Sequence, residues 1–224
     1  MGWNPARPNS EGNLLKVGLT GGVACGKSTV LAMFAERGAQ VLRADEVAHL
    51  LMQPGKPVYE RIIQSFGTSI LDRDGSISRP ALAQLAFAGR IEELNTIVHP
   101  AVIAWQDEWM AKIFRHAPRA IAVVEAALMV EAGSYKRLDK LITVTCSLEQ
   151  KIQRFAARSG LPEDAARREV ELRMAAQISE EEKVALSDHV IDNSGTIRHS
   201  EEQVDQVWSA LRKDEEARAR QIPS

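Results

Sequence analysis

A glycine-rich segment near the start of the chain has the residue types and spacing of a phosphate-binding loop. Residues 21–28 read GGVACGKS and fit the pattern G-x-x-x-x-G-K-[ST] without a mismatch. Glycines leave the backbone uncovered, so that successive N–H groups can point at phosphate oxygens, and the start of a helix adds a partial positive charge. The spacing therefore predicts that Lys27 bridges the β- and γ-phosphates of a nucleotide and that the Ser28 hydroxyl binds Mg²⁺.

Two carboxylates follow predicted strands, where parallel sheets place groups that contact ligands. Asp45 comes directly after the second predicted strand. It could accept the proton of an acceptor hydroxyl as the γ-phosphoryl group arrives, or it could cap the helix that begins near Glu46. Glu125 ends a later predicted strand, and it could lie near the water shell of Mg²⁺ or stand at the start of a helix.

Two arginines lie four residues apart on a predicted helix, so Arg154 and Arg158 should share one helix face. They could neutralise the charge on a transferring phosphoryl group from a mobile lid, or they could form a solvated basic surface. The sequence contains no Asn-Lys-x-Asp segment of the kind that specifies a guanine base. These features favour a kinase over a nucleotide-dependent switch.

The remaining candidate residues carry weaker signals. Cys25 lies inside the loop, where helix N–H groups could lower the pKa of its thiol, or where it simply fills space. His49 follows Asp45 by one helical turn, and His99 precedes Pro100 at a predicted helix start. The histidines show no metal-ligand spacing.

Buried-strand patterns alternate with helical patterns, which predicts an α/β fold with a mostly parallel five-stranded sheet. The predicted strands cover residues 14–19, 39–42, 120–124, 141–145 and 189–191. The predicted nucleotide-binding core comprises residues 14–44, 119–147 and 187–211, between a flexible tail at 1–13 and a tail at 212–224 that should fray. A helical insertion fills 45–118, with helices at 46–52, 58–66, 79–87, 91–98 and 100–114, and a helical lid fills 148–186.

Composition narrows the class of protein. The chain has 224 residues, 45% of them apolar, with a formal net charge of −2, which suits one globular unit and offers no basic field for nucleic acid. Its apolar runs are shorter than the roughly 20 residues that cross a bilayer, so we expect no membrane contact. Two cysteines suit a reducing compartment and predict the cytoplasm.

Several motifs together resemble the dephospho-CoA kinase family over about residues 14–211. They are KVGLTGGVACGKSTV, LRADEVAHLL, LDRDGSISRPALAQLAF, IVHP, ALMVEAG, RMAAQ and HVIDNSG. The resemblance implies a P-loop NTPase three-layer sandwich with a helical CoA-binding domain at 45–118. It also implies that ATP, with Mg²⁺, phosphorylates the ribose 3′-hydroxyl of dephospho-CoA, in a monomer or a small homo-oligomer.

The resemblance also implies roles for individual residues. The catalytic residues would be Asp45 as general base, Lys27, and Arg158 in the lid. ATP would bind to Gly21, Gly22, Val23, Ala24, Cys25, Gly26, Lys27, Ser28, Thr29, Arg154 and Asn193. The substrate-binding residues would be His49, Arg79, His99 and Glu125.

Two positions depart from the family pattern, because Ala127 stands where the family usually has proline and Cys25 where it usually has serine. Another small-molecule or nucleoside kinase, and a nucleotide-dependent regulatory protein, remain as alternatives.

Overall fold

The computed structural model describes residues 14–220, so the predicted tail at 1–13 lies outside the described residues. Within this range the chain divides into two compact units. The first unit contains residues 14–42 and 113–220, and the second unit is Arg43–Lys112.

A five-stranded sheet forms the centre of the first unit, with the strand order β2-β3-β1-β4-β5. The strands are β1 (Leu15–Gly21), β2 (Gln40–Arg43), β3 (Ile121–Glu125), β4 (Lys140–Thr145) and β5 (His189–Asp192). The pairs β1–β3, β1–β4 and β4–β5 are parallel. All residues of β3, and all of β1 except Lys16, are buried, as expected for strands covered on both faces. The predicted α/β fold with a mostly parallel sheet is therefore confirmed.

The helices are numbered in chain order through residues 14–220. They are α1 (Lys27–Glu36), α2 (Ala44–Leu51), α3 (Pro57–Phe66), α4 (Arg79–Leu85), α5 (Ile91–His116), α6 (Leu148–Ser159), α7 (Glu163–Ala175), α8 (Glu180–Leu186) and α9 (Ile197–Ala219). Among these described helices, none is long and apolar enough to cross a membrane.

The main core of the first unit lies between the sheet and helices α1 and α9. Phe34 of α1 is fully buried, and its ring lies 6.4 Å from that of Trp208 on α9. Val17, Val123 and Ile142 contribute from three adjacent strands. This core fixes the start of α1 relative to the ends of β1 and β3.

Helix α9 continues to Ala219, whereas the sequence predicted that the chain frays after Leu211. Two buried or half-buried ion pairs hold this end. Glu215 is fully buried and pairs with Arg119 at 2.8 Å, and Arg218 binds both carboxylate oxygens of Asp139. The charges that suggested a frayed end instead have partners elsewhere in the fold.

The second unit contains α2, α3, α4 and residues 91–112 of α5, and no strand longer than an isolated bridge is described in it. The sequence predicted separate helices at 91–98 and 100–114, but α5 runs through Pro100. Proline removes one helix hydrogen bond, yet the buried stripe that includes Val98 and Val102 continues on both sides of it. Packing of this stripe keeps the helix continuous.

Candidate active site

The segment between β1 and α1 makes a tight turn that only small residues can form. The backbone φ is +146° at Gly21, +53° at Ala24 and +88° at Gly26. A Cβ atom at Gly21 would lie 2.2 Å from the Val144 carbonyl oxygen, and one at Gly26 would lie 2.1 Å from Asn193 Nδ2. No described side chain caps the start of α1, so its first N–H groups face the loop as an anion site requires.

Lys27 folds back over this loop. Its Nζ donates hydrogen bonds to the carbonyl oxygens of Gly21 at 3.0 Å and Gly22 at 2.9 Å. Ser28 and Thr29, which follow in the first turn of α1, are exposed. The Lys27 ammonium group and the Ser28 hydroxyl group therefore lie where the glycine loop, which the sequence predicts to bind phosphates, meets α1.

The thiol of Cys25 is fully buried in the main core of the first unit. Burial raises its pKa, and this effect outweighs the lowering caused by the positive charge of Lys27. The thiol is thus protonated and enclosed at neutral pH. The hypothesis of a reactive loop cysteine is wrong, and Cys25 fills space.

Arg154 and Asn193 both donate to the carbonyl oxygen of Cys25, at 3.3 Å from Arg154 Nη1 and at 2.8 Å from Asn193 Nδ2. Arg154 Nη2 also donates to the Asn193 carbonyl oxygen at 2.9 Å. Ser200 Oγ, which is buried, donates to Asn193 Oδ1 at 2.7 Å and so fixes the orientation of that amide. These hydrogen bonds fix the backbone of the loop at the Cys25 carbonyl oxygen.

Arg158 contacts a different group although it shares a helix with Arg154. Its guanidinium carbon lies 5.5 Å from the centre of the Phe155 ring, and that of Arg173 lies 5.0 Å from the same ring. Arg158 is exposed. The structure therefore brings Arg154 to the loop and Arg158 to the aromatic side chain of Phe155 on the same helix, and does not bring the two arginines to one partner.

Glu125 is the last residue of β3, level with Leu19 of β1, and it is 8% exposed. A turn follows it and not a helix, so the helix-start alternative is wrong. No group of three or more His, Cys, Asp or Glu side chains within residues 14–220 could hold a metal alone. A serine hydroxyl and a carboxylate are oxygen donors that suit Mg²⁺ when phosphate oxygens supply further ligands, so Ser28 and Glu125 fit an ion carried by the nucleotide.

Asp45 lies in the first turn of α2, where the helix dipole stabilises a carboxylate. The residue at the N-cap position is Arg43, so the capping alternative for Asp45 is wrong. Burial lowers the pKa of His49, with a smaller lowering by Arg79 that Asp45 opposes. The structure thus brings Asp45 and Arg79 within electrostatic reach of His49 inside the second unit.

His99 lies inside α5 and not at a helix start, and burial lowers its pKa. With it, all four candidates of the helical insertion belong to the second unit: Asp45, His49, Arg79 and His99.

Lys151 and Glu180 were missed by sequence reasoning. Lys151 is 3% exposed and its Nζ lies 2.6 Å from Glu180 Oε2. One signal was present, because Lys151 lies one helical turn before the apolar Phe155 and shares its buried face. A single lysine in a charged helix otherwise resembles a solvated residue.

The parallel sheet, the glycine loop between β1 and α1, and the lysine folded over that loop define the class of P-loop nucleotide-binding proteins. The sequence model of the family described as dephospho-CoA kinase matches residues 15–199. The chain belongs to this family.

Individual relatives agree with this membership. The chain is 41% identical over 199 residues to a dephospho-CoA kinase of Symbiobacterium thermophilum, covering 87% of this chain and 80% of the relative. It is 40% identical over 202 residues to that of Aquifex aeolicus, covering 89% and 98%. Among solved structures, TT1252 from Thermus thermophilus has a TM-score of 0.74 at 31% identity, covering 88% of this chain and 96% of that one.

Proposed function

We propose that this chain transfers the γ-phosphoryl group of ATP to the ribose 3′-hydroxyl of dephospho-CoA, giving coenzyme A and ADP. A bond forms between the 3′-oxygen and the γ-phosphorus, the bond from that phosphorus to the β-γ bridging oxygen breaks, and the hydroxyl proton leaves. The carrying observation is the glycine loop with Lys27 folded over its carbonyl oxygens, in a chain of the dephospho-CoA kinase family.

The donor half of the reaction belongs to the loop. Its N–H groups and the start of α1 bind the phosphates, and Lys27 exchanges its carbonyl partners for β- and γ-phosphate oxygens. Ser28 and Glu125 would hold the Mg²⁺ that the nucleotide carries. When bound, the ion neutralises charge on the phosphate oxygens. Arg154 and Asn193 hold the loop backbone in place through the Cys25 carbonyl oxygen.

The acceptor half belongs to the second unit. Asp45 accepts the proton of the 3′-hydroxyl, since its carboxylate is exposed in the first turn of α2. His49, Arg79 and His99 bind the acceptor, and Arg79 supplies positive charge for its diphosphate. Arg158 leaves the Phe155 ring to meet charge on the transferring group, because an exposed cation over a ring is held only weakly.

Both substrates are small molecules, and we propose that the protein works in the cytoplasm without nucleic acid or membrane. Free thiols support this compartment, since the described cysteines, Cys25 and Cys146, are both unpaired.

The test of the assignment is ADP release measured by a coupled assay on addition of dephospho-CoA. Asp45→Asn should lower kcat by roughly 10²–10⁴-fold, the usual contribution of a general base, while ADP binding stays close to that of the wild type. Glu46→Gln is the matched control, since Glu46 is the neighbouring exposed carboxylate and pairs with Arg43, and it should retain turnover. Near-normal turnover of Asp45→Asn would reject the base.

The acceptor is tested separately with a panel of nucleosides, nucleoside monophosphates and shikimate. No ADP release with dephospho-CoA, together with release for another member of the panel, would make the chain a different small-molecule kinase. Nucleotide binding without turnover on any acceptor would instead point to a regulatory protein.

A further inference from the structure

A buried ion pair lies against the nucleotide-binding loop and takes no part in the reaction described above. Lys151 of α6 is 3% exposed, and its Nζ lies 2.6 Å from Glu180 Oε2 at the start of α8. Burial removes the hydration of the Lys151 ammonium group, whereas the Glu180 side chain is still 29% exposed, so the pair should add little net stability. The role of this ion pair must therefore be sought in its position beside the loop and not in a contribution to stability.

The pair adjoins Gly22, the second residue of the loop. A Cβ atom at Gly22 would lie 3.6 Å from both Lys151 Nζ and Glu180 Oε2. The Gly22 carbonyl oxygen is also one of the two that accept hydrogen bonds from Lys27. Both charges of the pair act on the thiol of Cys25, three residues further along the loop. The pair thus supports the turn of the loop on which Lys27 lies.

The neighbouring loop residue is held by the same helix in another way. Val23 is 9% exposed and packs with Ile152 and Phe155 of α6 and with two residues of α7. Beside Gly22, by contrast, a cavity of about 50 Å³ adjoins the ion pair. The atoms nearest to a Cβ position at Gly22 belong to Lys151 and Glu180, so the ion pair is the part of the fold that borders the loop there.

Glu180 is presented to Lys151 from a well-fixed segment. Ser179 and Glu182 form a capping box at the start of α8. One turn later Lys183 is 1% exposed, and its Nζ lies 2.8 Å from Glu131 Oε1 in the segment after β3. These contacts fix Glu180 relative to the first unit. A displacement of Lys151 would therefore change the contacts of the ion pair with the loop at Gly22.

We propose that Lys151 is a positioning residue, which through its pair with Glu180 holds the Gly22 side of the loop in the shape that accepts nucleotide phosphates. The inference rests on the nucleotide-binding role proposed for the loop. In this proposal Lys151 acts through the loop and does not bind phosphate itself, because it is 3% exposed and its ammonium group donates to Glu180. Removing one partner leaves a buried charge that must find water, whereas removing both leaves a neutral contact.

The test is calorimetric titration with ADP of Lys151→Met, Glu180→Gln and the double variant. Each single change should weaken ADP binding by roughly tenfold, and the double variant should return to within about threefold of the wild type. In turnover, the single changes should raise KM for ATP and leave KM for dephospho-CoA unchanged. A phosphate-binding lysine gives another pattern: Glu180→Gln binds ADP as well as the wild type, and the double variant is as weak as Lys151→Met. Either of these results overturns the proposal.

Arg119→Met is the matched control, because it removes the cation of another ion pair, that with the fully buried Glu215 on α9, and neither residue of this pair contributes to the loop. It should lower the melting temperature and leave ADP affinity within about twofold of the wild type. An equal loss of ADP affinity in Arg119→Met and Lys151→Met would show general destabilisation and refute the positioning role. ADP binding needs no acceptor, so failure of the dephospho-CoA assignment leaves this test intact, whereas a wild-type chain that does not bind ADP refutes both.

Discussion

At the scale of single residues, Gly26 shows how closely the loop is packed. Its φ of +88° and a Cβ position only 2.1 Å from Asn193 Nδ2 exclude any side chain. We expect Gly26→Ala to push the Asn193 amide away from the Cys25 carbonyl oxygen and to weaken ADP binding by more than roughly tenfold, in addition to a backbone cost of about 1–2 kcal/mol. Calorimetric titration and urea unfolding measure the two effects.

Gly38 provides the matched control for this prediction. It also has a left-handed backbone, with φ of +96°, but nothing lies within 4 Å of a Cβ atom there. Gly38→Ala should therefore cost about 1–2 kcal/mol of unfolding free energy and keep the ADP affinity of the wild type. If both variants bind ADP equally well, the contact with Asn193 is not what makes Gly26 necessary.

The roles of residues that belong to a motif with fixed spacing could be predicted from the sequence. The roles of residues that depend on contacts with distant parts of the chain could not. Lys27 and Ser28 follow from the loop pattern, since their chemistry depends on a few adjacent positions. Arg154 was correctly placed on a helix, but its contact with the Cys25 carbonyl oxygen joins residues 129 apart. Lys151 was missed for the same reason, because its partner Glu180 is 29 residues away.

At the scale of helices and strands, α9 depends on ion pairs at its C-terminal end. Arg218 binds both oxygens of Asp139 and donates to the Leu14 carbonyl oxygen at 3.1 Å, with the Asp139 side chain 11% exposed. Arg218→Met should lower the free energy of unfolding by about 2 kcal/mol, since it leaves a mostly buried carboxylate without its cation. Urea unfolding measures the change.

Arg198 on the same helix is the control, since its pair with Glu202 has side chains that are 86% and 57% exposed. Arg198→Met should change the free energy of unfolding by less than about 0.5 kcal/mol. Equal effects of Arg198→Met and Arg218→Met would mean that the C-terminal turns of α9 are not anchored by Asp139.

Predictions of whole elements succeeded where one local pattern dominates. Each of the five predicted strands is present. In β1, β3 and β4 the signal is a short run of buried apolar residues, which is too short for a helix. The predictions failed for α5 and α9, where local signals conflicted with packing. Pro100 indicated a helix boundary and the charges after Leu211 indicated fraying, but the buried stripe of α5 and the partner of Arg218 decided otherwise.

At the scale of the whole molecule, histidines in both units link stability to pH. Burial lowers the pKa of His49, His99 and His189 below the ordinary value of 6.5. The unfolded chain therefore binds more protons than the folded chain just below pH 6.5, so stability should be full above that pH and decline as the pH falls through it. The melting temperature at pH 5.5 should be lower than at pH 7.5.

His189 allows this dependence to be assigned to one side chain. Lys140 adds to the lowering of its pKa, while Asp188 and Asp214 oppose it. His189→Gln should reduce the drop in melting temperature between pH 7.5 and 5.5, because glutamine has no proton to bind there. An unchanged drop in the variant would contradict a contribution from His189.

We expect the first unit to bind the nucleotide and the second unit to bind the acceptor, and amide hydrogen exchange can measure this separation. The proposed nucleotide-binding loop, residues 21–29, lies in the first unit, as do Arg154 and Asn193, which donate hydrogen bonds to its backbone. The proposed acceptor contacts Asp45, His49, Arg79 and His99 all lie in Arg43–Lys112. ADP should therefore slow exchange at residues 21–29, and dephospho-CoA added to the ADP-saturated protein should slow it within 45–99.

Saturation with ADP before dephospho-CoA is added keeps the acceptor, which contains an adenine nucleotide of its own, out of the loop. Amide exchange occurs through local openings, and a bound ligand suppresses the openings that would release it. At a ligand concentration of 100 times Kd, the free energy of such an opening rises by about 2.7 kcal/mol. Protection of that size is a more than 50-fold slowing for amides at the contact. If dephospho-CoA leaves 45–99 unprotected under these conditions, the helical unit does not bind the acceptor, and Asp45 loses its place as the base.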